Sequence, residues 1–122
     1  MNMYYTIINE NNKQTYMGNI LSDQYIYFAD LENLCQLFCC GNKIVEVIEY
    51  NTDSVRKICD GIYVSKDIIF GKEYNMNNIK DFQDLMDLGL VAQYNIIGWC
   101  YDHNYINLLD YIISNKNIIT KN

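Results

Sequence analysis

The 122-residue sequence has no proline, one arginine, one histidine and only two alanines. A single histidine, His103, excludes any two-histidine metal or catalytic arrangement. Basic residues are scarce: nine Lys and Arg stand against fifteen Asp and Glu, a formal charge of −6. Such a chain is not built to neutralise a phosphate backbone or settle on an anionic bilayer, so neither nucleic acid nor a membrane is expected as a partner. No stretch approaches the ~18 continuous apolar residues of a membrane helix. Met1 to Glu10 lacks the basic start and longer apolar run of a secretory signal. The cysteines, Cys35, Cys39, Cys40, Cys59 and Cys100, are odd in number and irregularly placed. That is no disulfide framework, and it points to a reducing, cytosol-like compartment.

Catalytic signatures are missing as well. Gly41-Asn-Lys and Gly71-Lys-Glu lack the spacing of a phosphate loop. Neither a Gly-x-Ser-x-Gly elbow nor a His-Glu-x-x-His pair occurs. The chain is therefore expected not to be an enzyme, with no catalytic residue, no metal and no cofactor implied.

What is present is apolar and aromatic: half the residues are hydrophobic and 14% aromatic, which excludes a disordered chain. The length fits one compact domain. Asn (17), Ile (18), Tyr (12) and Lys (8) are abundant. All four are read from A/T-rich codons, so base composition, not selection for a binding surface, explains the tyrosines.

The first half reads as strands. Met3 to Ile8, Tyr25 to Phe28 and Lys43 to Tyr50 are short, aromatic or β-branched. Asn9 to Gln14 is a turn. Asp30 stands at an N-cap before Leu31, Leu34, Cys35 and Phe38, whose spacing predicts an α-helix, with Gly41 as its left-handed C′ residue. Asp60-Gly61 predicts a type I′ hairpin between Val55–Cys59 and a long arm, Ile62–Phe70, that bends or lies at an edge near Lys66 and ends at Gly71. From Asn77 the period becomes helical. Ile79, Phe82, Leu85 and Met86 form one face closed by Gly89; Ile96, Ile97, Trp99 and Cys100 form a second helix; Ile106, Leu109, Ile112 and Ile113, widened by Leu108, form a third. The expected class is α+β: a small, mostly antiparallel sheet with one short helix over residues 1–75, then a helical part over 76–122, packed as one unit.

The run from Gly98 to Asn117 resembles a single ankyrin repeat. Asn104-Tyr105 stands in the family's Gly-His place, Ile106, Leu108, Leu109, Ile112 and Ile113 on the apolar positions of its second helix, and Lys116-Asn117 in its exit turn. Asn104 can adopt the left-handed conformation that Gly would supply. The Thr-Pro-Leu-His opening is absent, and no second repeat occurs upstream. The order Phe28-Ala29-Asp30, short helix, Gly41, Ile44–Val47 and Asp60–Ile69 is similar to the module that precedes ankyrin arrays in mimivirus-type giant-virus proteins. This resemblance implies a repeat over about 94–117, protein binding without catalysis, and residence in the host cytoplasm or the virion interior.

Individual side chains point the same way. His103 with Cys100 is a conceivable nucleophilic dyad, yet Cys100 lies on a core face and His103 reads as a solvated turn residue. Cys35 and Cys39 share a helix face at i, i+4, but one cluster plus singletons does not match zinc spacing. Asp81, Asp84 and Asp87 read as a solvated acidic face. Trp99 reads as core, leaving Tyr101, Asp102, His103 and Tyr105 as candidate partner contacts. A lone repeat cannot bury its own stripe. Ile79, Phe82 and Met86 are expected to cover one side of Ile106, Leu109, Ile112 and Ile113, leaving a patch for a protein partner or a second copy. The alternative is a degraded transferase-like enzyme domain with a polar pocket near Tyr25, Tyr63 and Lys66.

Overall fold

The computed structural model describes residues 3–15 and 25–119. Six strands, β1 (Tyr4–Ile8), β2 (Ile26–Ala29), β3 (Lys43–Glu49), β4 (Arg56–Cys59), β5 (Ile62–Ser65) and β6 (Ile69–Tyr74), precede three helices, α1 (Ile79–Leu88), α2 (Asn95–Asp102) and α3 (Ile106–Ser114). A 3₁₀ segment, Leu34–Cys40, joins β2 to β3. The strands make one antiparallel sheet in the order β4-β5-β2-β1-β3-β6, so the class is α+β.

The sheet is rolled. Only Lys66, Asp67 and Ile68 connect β5 to β6, which lie four positions apart in the sheet. That connection reaches at most ~14 Å, whereas four strand spacings in a flat sheet come to about 19 Å. Strong coiling closes the difference, and Asp67 turns the corner at φ 57°. Hydrogen bonds fasten the closure: Asn51 N–H donates to the Lys66 carbonyl (3.0 Å), and the Ser65 hydroxyl donates to that of Asn51 (2.6 Å). Inside the roll, Ile8, Ile26 and Val45 are buried beneath Ile68 and Phe70. The outer face, with Tyr5, Ile7, Ala29, Ile44, Ile62 and Tyr74, shares one core with the helices.

β1 and β2 pair at Tyr5 and Ala29. Beyond that rung the Gln14 side chain fills the seam. Its amide donates to Ile7 O (3.0 Å), Tyr27 O (2.8 Å) and Thr6 Oγ1 (3.0 Å), and its carbonyl oxygen accepts from Tyr27 N–H (2.7 Å). A side chain here does the work of a strand's backbone.

Several local expectations are corrected. The short helix is 3₁₀, and its burial repeats every three residues. Leu34, Leu37 and Cys40 face the core, as do Cys35 and Phe38, while Gln36 and Cys39 face water. Cys35 and Cys39 therefore diverge, because i, i+4 is a shared face only in an α-helix. Asp30 does not cap the segment; its carboxylate accepts from Asn33 N–H (3.0 Å), the residue just before the segment begins at Leu34. Gly41 is extended (φ 173°), not left-handed. Its glycine requirement comes from crowding, since a Cβ would lie 2.5 Å from the Ile8 carbonyl oxygen. At Asp60-Gly61 only Gly61 has positive φ (79°), so the turn is not type I′, and the register shifts just before it, between Lys57 and Cys59. The long second arm is two strands on opposite sides of the sheet, broken at Lys66–Ile68, and Gly71 lies inside β6 rather than ending it.

The helices follow their sequence signals more closely. Asn78 caps α1 by accepting from Lys80 N–H (2.9 Å), and Gly89 (φ 120°) closes it. α3 is rotated from its expected setting. Leu108 and Ile112 are fully buried, Leu109 is partly buried, and Ile106 and Ile113 are 47% and 48% exposed. The neighbouring apolar pairs Leu108-Leu109 and Ile112-Ile113 make two phases of the helix equally greasy, and packing against α2 and α1 selects between them. The cover expected from α1 is delivered chiefly through Phe82, whose ring meets Tyr111 edge-on (6.2 Å).

Candidate functional site

The turn between α2 and α3 collects the aromatic residues singled out from the sequence. His103, Asn104 and Tyr105 separate the helices, and Asn104 takes the left-handed conformation (φ 63°). The Tyr105 N–H donates to Cys100 O (2.8 Å), drawing α3 back along α2.

Trp99 is the anchor of this corner, and it is core, 5% exposed. Its ring stacks on Phe38 of the 3₁₀ segment (4.3 Å, 11°), and its indole N–H donates to Gly41 O (2.8 Å). Tyr105 packs on Trp99 (5.4 Å) and gives its hydroxyl hydrogen to Asn42 O. Burial pushes its pKa up, with Glu10 and Cys100 adding to the effect. Asn95 Nδ2 donates to Cys35 O (2.7 Å), fastening the start of α2 to the same segment. The helical pair is thus tied at both ends of α2 to the stretch Cys35–Asn42.

The four candidate contact residues divide accordingly. Tyr101 is 74% exposed and Asp102 is exposed. His103 is half-buried against Trp99 (5.7 Å) and Tyr105 (5.9 Å). Tyr105 is a structural tie. The patch expected to remain open beside the α3 stripe falls on Ile106 and Ile113, seven residues apart on one side of α3 and 47% and 48% exposed.

Cys100 is buried, and its thiol is pushed up to about 12 by that burial, which keeps it protonated near neutrality. Cys35 is raised to about 11 for the same reason, and its thiol donates to Val91 O (3.1 Å). Among the described residues, no group of three or more His, Cys, Asp or Glu side chains is placed to hold a metal ion. The acidic face of α1 is mixed. Asp84 pairs with Lys80 (3.3 Å), Asp81 accepts from Asn75 N–H (2.7 Å) and steadies the entry to the helix, and Asp87 is exposed.

Two open clefts indent the surface. One, of about 360 Å³, is lined by Met3, Tyr4, Asp30, Tyr63 and Leu88 among others, but not by Tyr25 or Lys66. The other, of about 410 Å³, includes Lys43 paired with Glu73, together with Asp81 and Tyr105. Among the described residues no helix is long and apolar enough to cross a membrane. No protein-family model matches the chain, and neither does any curated protein or solved structure.

Proposed function

We propose that this chain is a non-catalytic protein–protein interaction module, a shortened relative of the ankyrin-bearing proteins of mimivirus-type giant viruses, acting in the host cytoplasm or inside the virion. The observation that supports this reading is the half-exposed pair Ile106 and Ile113 on the outer side of α3. These residues sit on a rigid support, because α2 and the turn are tied to the 3₁₀ segment through Trp99 and Tyr105. Removing two such side chains from water favours association by roughly 1–3 kcal/mol at the area lost. Tyr101 adds an amphipathic anchor of the kind that dominates interface energies.

The test is affinity capture from infected host cells, comparing the natural chain with an Ile106→Asn/Ile113→Asn variant, with light scattering on the purified protein. A protein retained by the natural chain and lost by the variant supports the module. A second copy in that role would appear as a concentration-dependent dimer that the variant abolishes. A monomer at high concentration, with identical capture by both chains, refutes it. The other reading, a degraded transferase-like domain, draws on the cleft that Tyr4, Asp30 and Tyr63 line. Saturable small-molecule binding there, lost on Tyr63→Phe, would favour it.

A further inference from the structure

Cys39 and Cys40 are consecutive residues at the end of the 3₁₀ segment, and both are free thiols. Cys39 lies on the solvent face; Cys40 is 5% exposed on the sheet side. Burial, then the neighbouring Cys39 thiol, pushes Cys40 up to about 12. One sulfur therefore lies at the surface and its neighbour just beneath it. No other cysteine has such a neighbour in sequence. Cys59 is alone on the exposed strand β4, and Cys35 and Cys100 are buried.

We propose that Cys39 and Cys40 form a vicinal dithiol site for a thiophilic trivalent centre, organic arsenic(III) being the representative ligand, and that occupancy of the site is transmitted to Trp99. The reaction needs no oxidant. An arsenoxide and two thiols give a dithioarsenite and water: two As–S bonds form, the As–O bonds break, both thiol protons leave in the water, and arsenic keeps its oxidation state. Because the protons depart with oxygen, the raised pKa of the Cys40 thiol is no obstacle. The exposed Cys39 sulfur makes the first bond. Cys40 makes the second within the same chain, where effective concentration replaces a bimolecular encounter.

The coupling follows from what holds this turn. Three residues per turn set adjacent side chains roughly 120° apart, so ring closure rotates Cys40 outward and pulls on its neighbours. On one side is Phe38, stacked on Trp99. On the other is Gly41, whose carbonyl accepts the indole N–H. The Cys40 carbonyl also accepts from Thr15 N–H (2.8 Å), which anchors the backbone while the side chain turns. Trp99 is the only tryptophan, so the emission comes from a single ring in contact with this turn.

The site is independent of whatever binds α3, and its test uses phenylarsine oxide as the probe. The folded chain is titrated in excess glutathione and followed by intact mass and by Trp99 emission. The expected result is one phenylarsenic group per chain that survives the monothiol and is removed by a small dithiol, with an emission change at the same stoichiometry. Cys39→Ser, at an exposed position, leaves the circular dichroism spectrum unchanged and lowers apparent affinity by roughly 10²–10⁴-fold. Cys59→Ser has no effect. Retained affinity in Cys39→Ser, or an adduct that forms only in denaturant, overturns the site. An adduct without a change at Trp99 overturns the coupling.

Discussion

Replacing Gln14 by leucine isolates the contribution of the side chain that fills the β1–β2 seam. Leucine has nearly the same volume, so packing is disturbed little while every polar contact is lost. Those contacts are the acceptor for Tyr27 N–H at 2.7 Å and the donors to Ile7 O, Tyr27 O and Thr6 Oγ1 at 2.8–3.0 Å. Two amide hydrogens serve three acceptors, so about three hydrogen bonds' worth of energy is at stake. At ~0.5–1.5 kcal/mol each, the loss is roughly 1.5–4.5 kcal/mol. Burying extra methyl surface returns about 1 kcal/mol, leaving an expected destabilisation of roughly 0.5–3.5 kcal/mol. With a mid-range urea slope of ~2 kcal/mol/M, the midpoint falls by roughly 0.3–1.8 M. Trp99 emission follows the transition. A variant whose midpoint stays within ~0.2 M of the natural chain, with unchanged slope, would refute the idea that the seam is held by this amide. Gln14→Glu adds a pH signature. The introduced carboxyl faces two carbonyl oxygens, which disfavours its charged form and raises its folded pKa above the unfolded value. The variant is therefore most stable in acid and loses that stability as pH rises through the folded value, whereas Gln14→Leu shows no such dependence.

Further tests concern glycine positions and alkaline behaviour. Gly41→Ala places a methyl group on the Ile8 carbonyl and should cost about 3 kcal/mol or more, whereas Gly98→Ala, in a helix with open space around the new carbon, should gain about 0.5–1 kcal/mol; thermal melts of both variants distinguish crowding from flexibility. Cys35, Cys40 and Cys100 are raised from 9.0 to about 11, 12 and 12, and Tyr5, by burial and Tyr74, from 10.0 to about 12. Each folded pKa exceeds its unfolded value, so the unfolded chain gives up protons first. Stability should be level below about pH 9 and fall steadily from there toward pH 12, with a shallower fall in Cys100→Ala; a flat melting temperature between pH 8 and 11 would refute this.

The sequence carried the class and most element positions, because β-branched runs and helix caps are local signals. Gly89 and Asn104 each do what their residue type suggested. Three features escaped. The 3₁₀ segment satisfies an α-helical template at Leu31, Leu34, Cys35 and Phe38 almost as well as a three-residue repeat, and only burial separates the two. The division of Ile62–Tyr74 into strands on opposite sides of the sheet depends on Asp67 adopting a positive φ, which an Asp permits but does not announce. The rotation of α3 was hidden because Leu108-Leu109 and Ile112-Ile113 are apolar on adjacent faces. That third failure is the consequential one for the candidate site, since it decides whether Ile106 and Ile113 face the core or a partner.

The three-residue link from Ser65 to Ile69 has a bearing on how this protein can vary. It acts as a drawstring: its shortness keeps the barrel-like curl tight around Ile8, Ile26 and Val45. Added length in the Asn9–Lys13 turn would leave that curl intact, but one or two residues gained after Asp67 would slacken it and let water into the interior. Natural variants of this chain should therefore tolerate insertions almost anywhere on the surface before they tolerate one there.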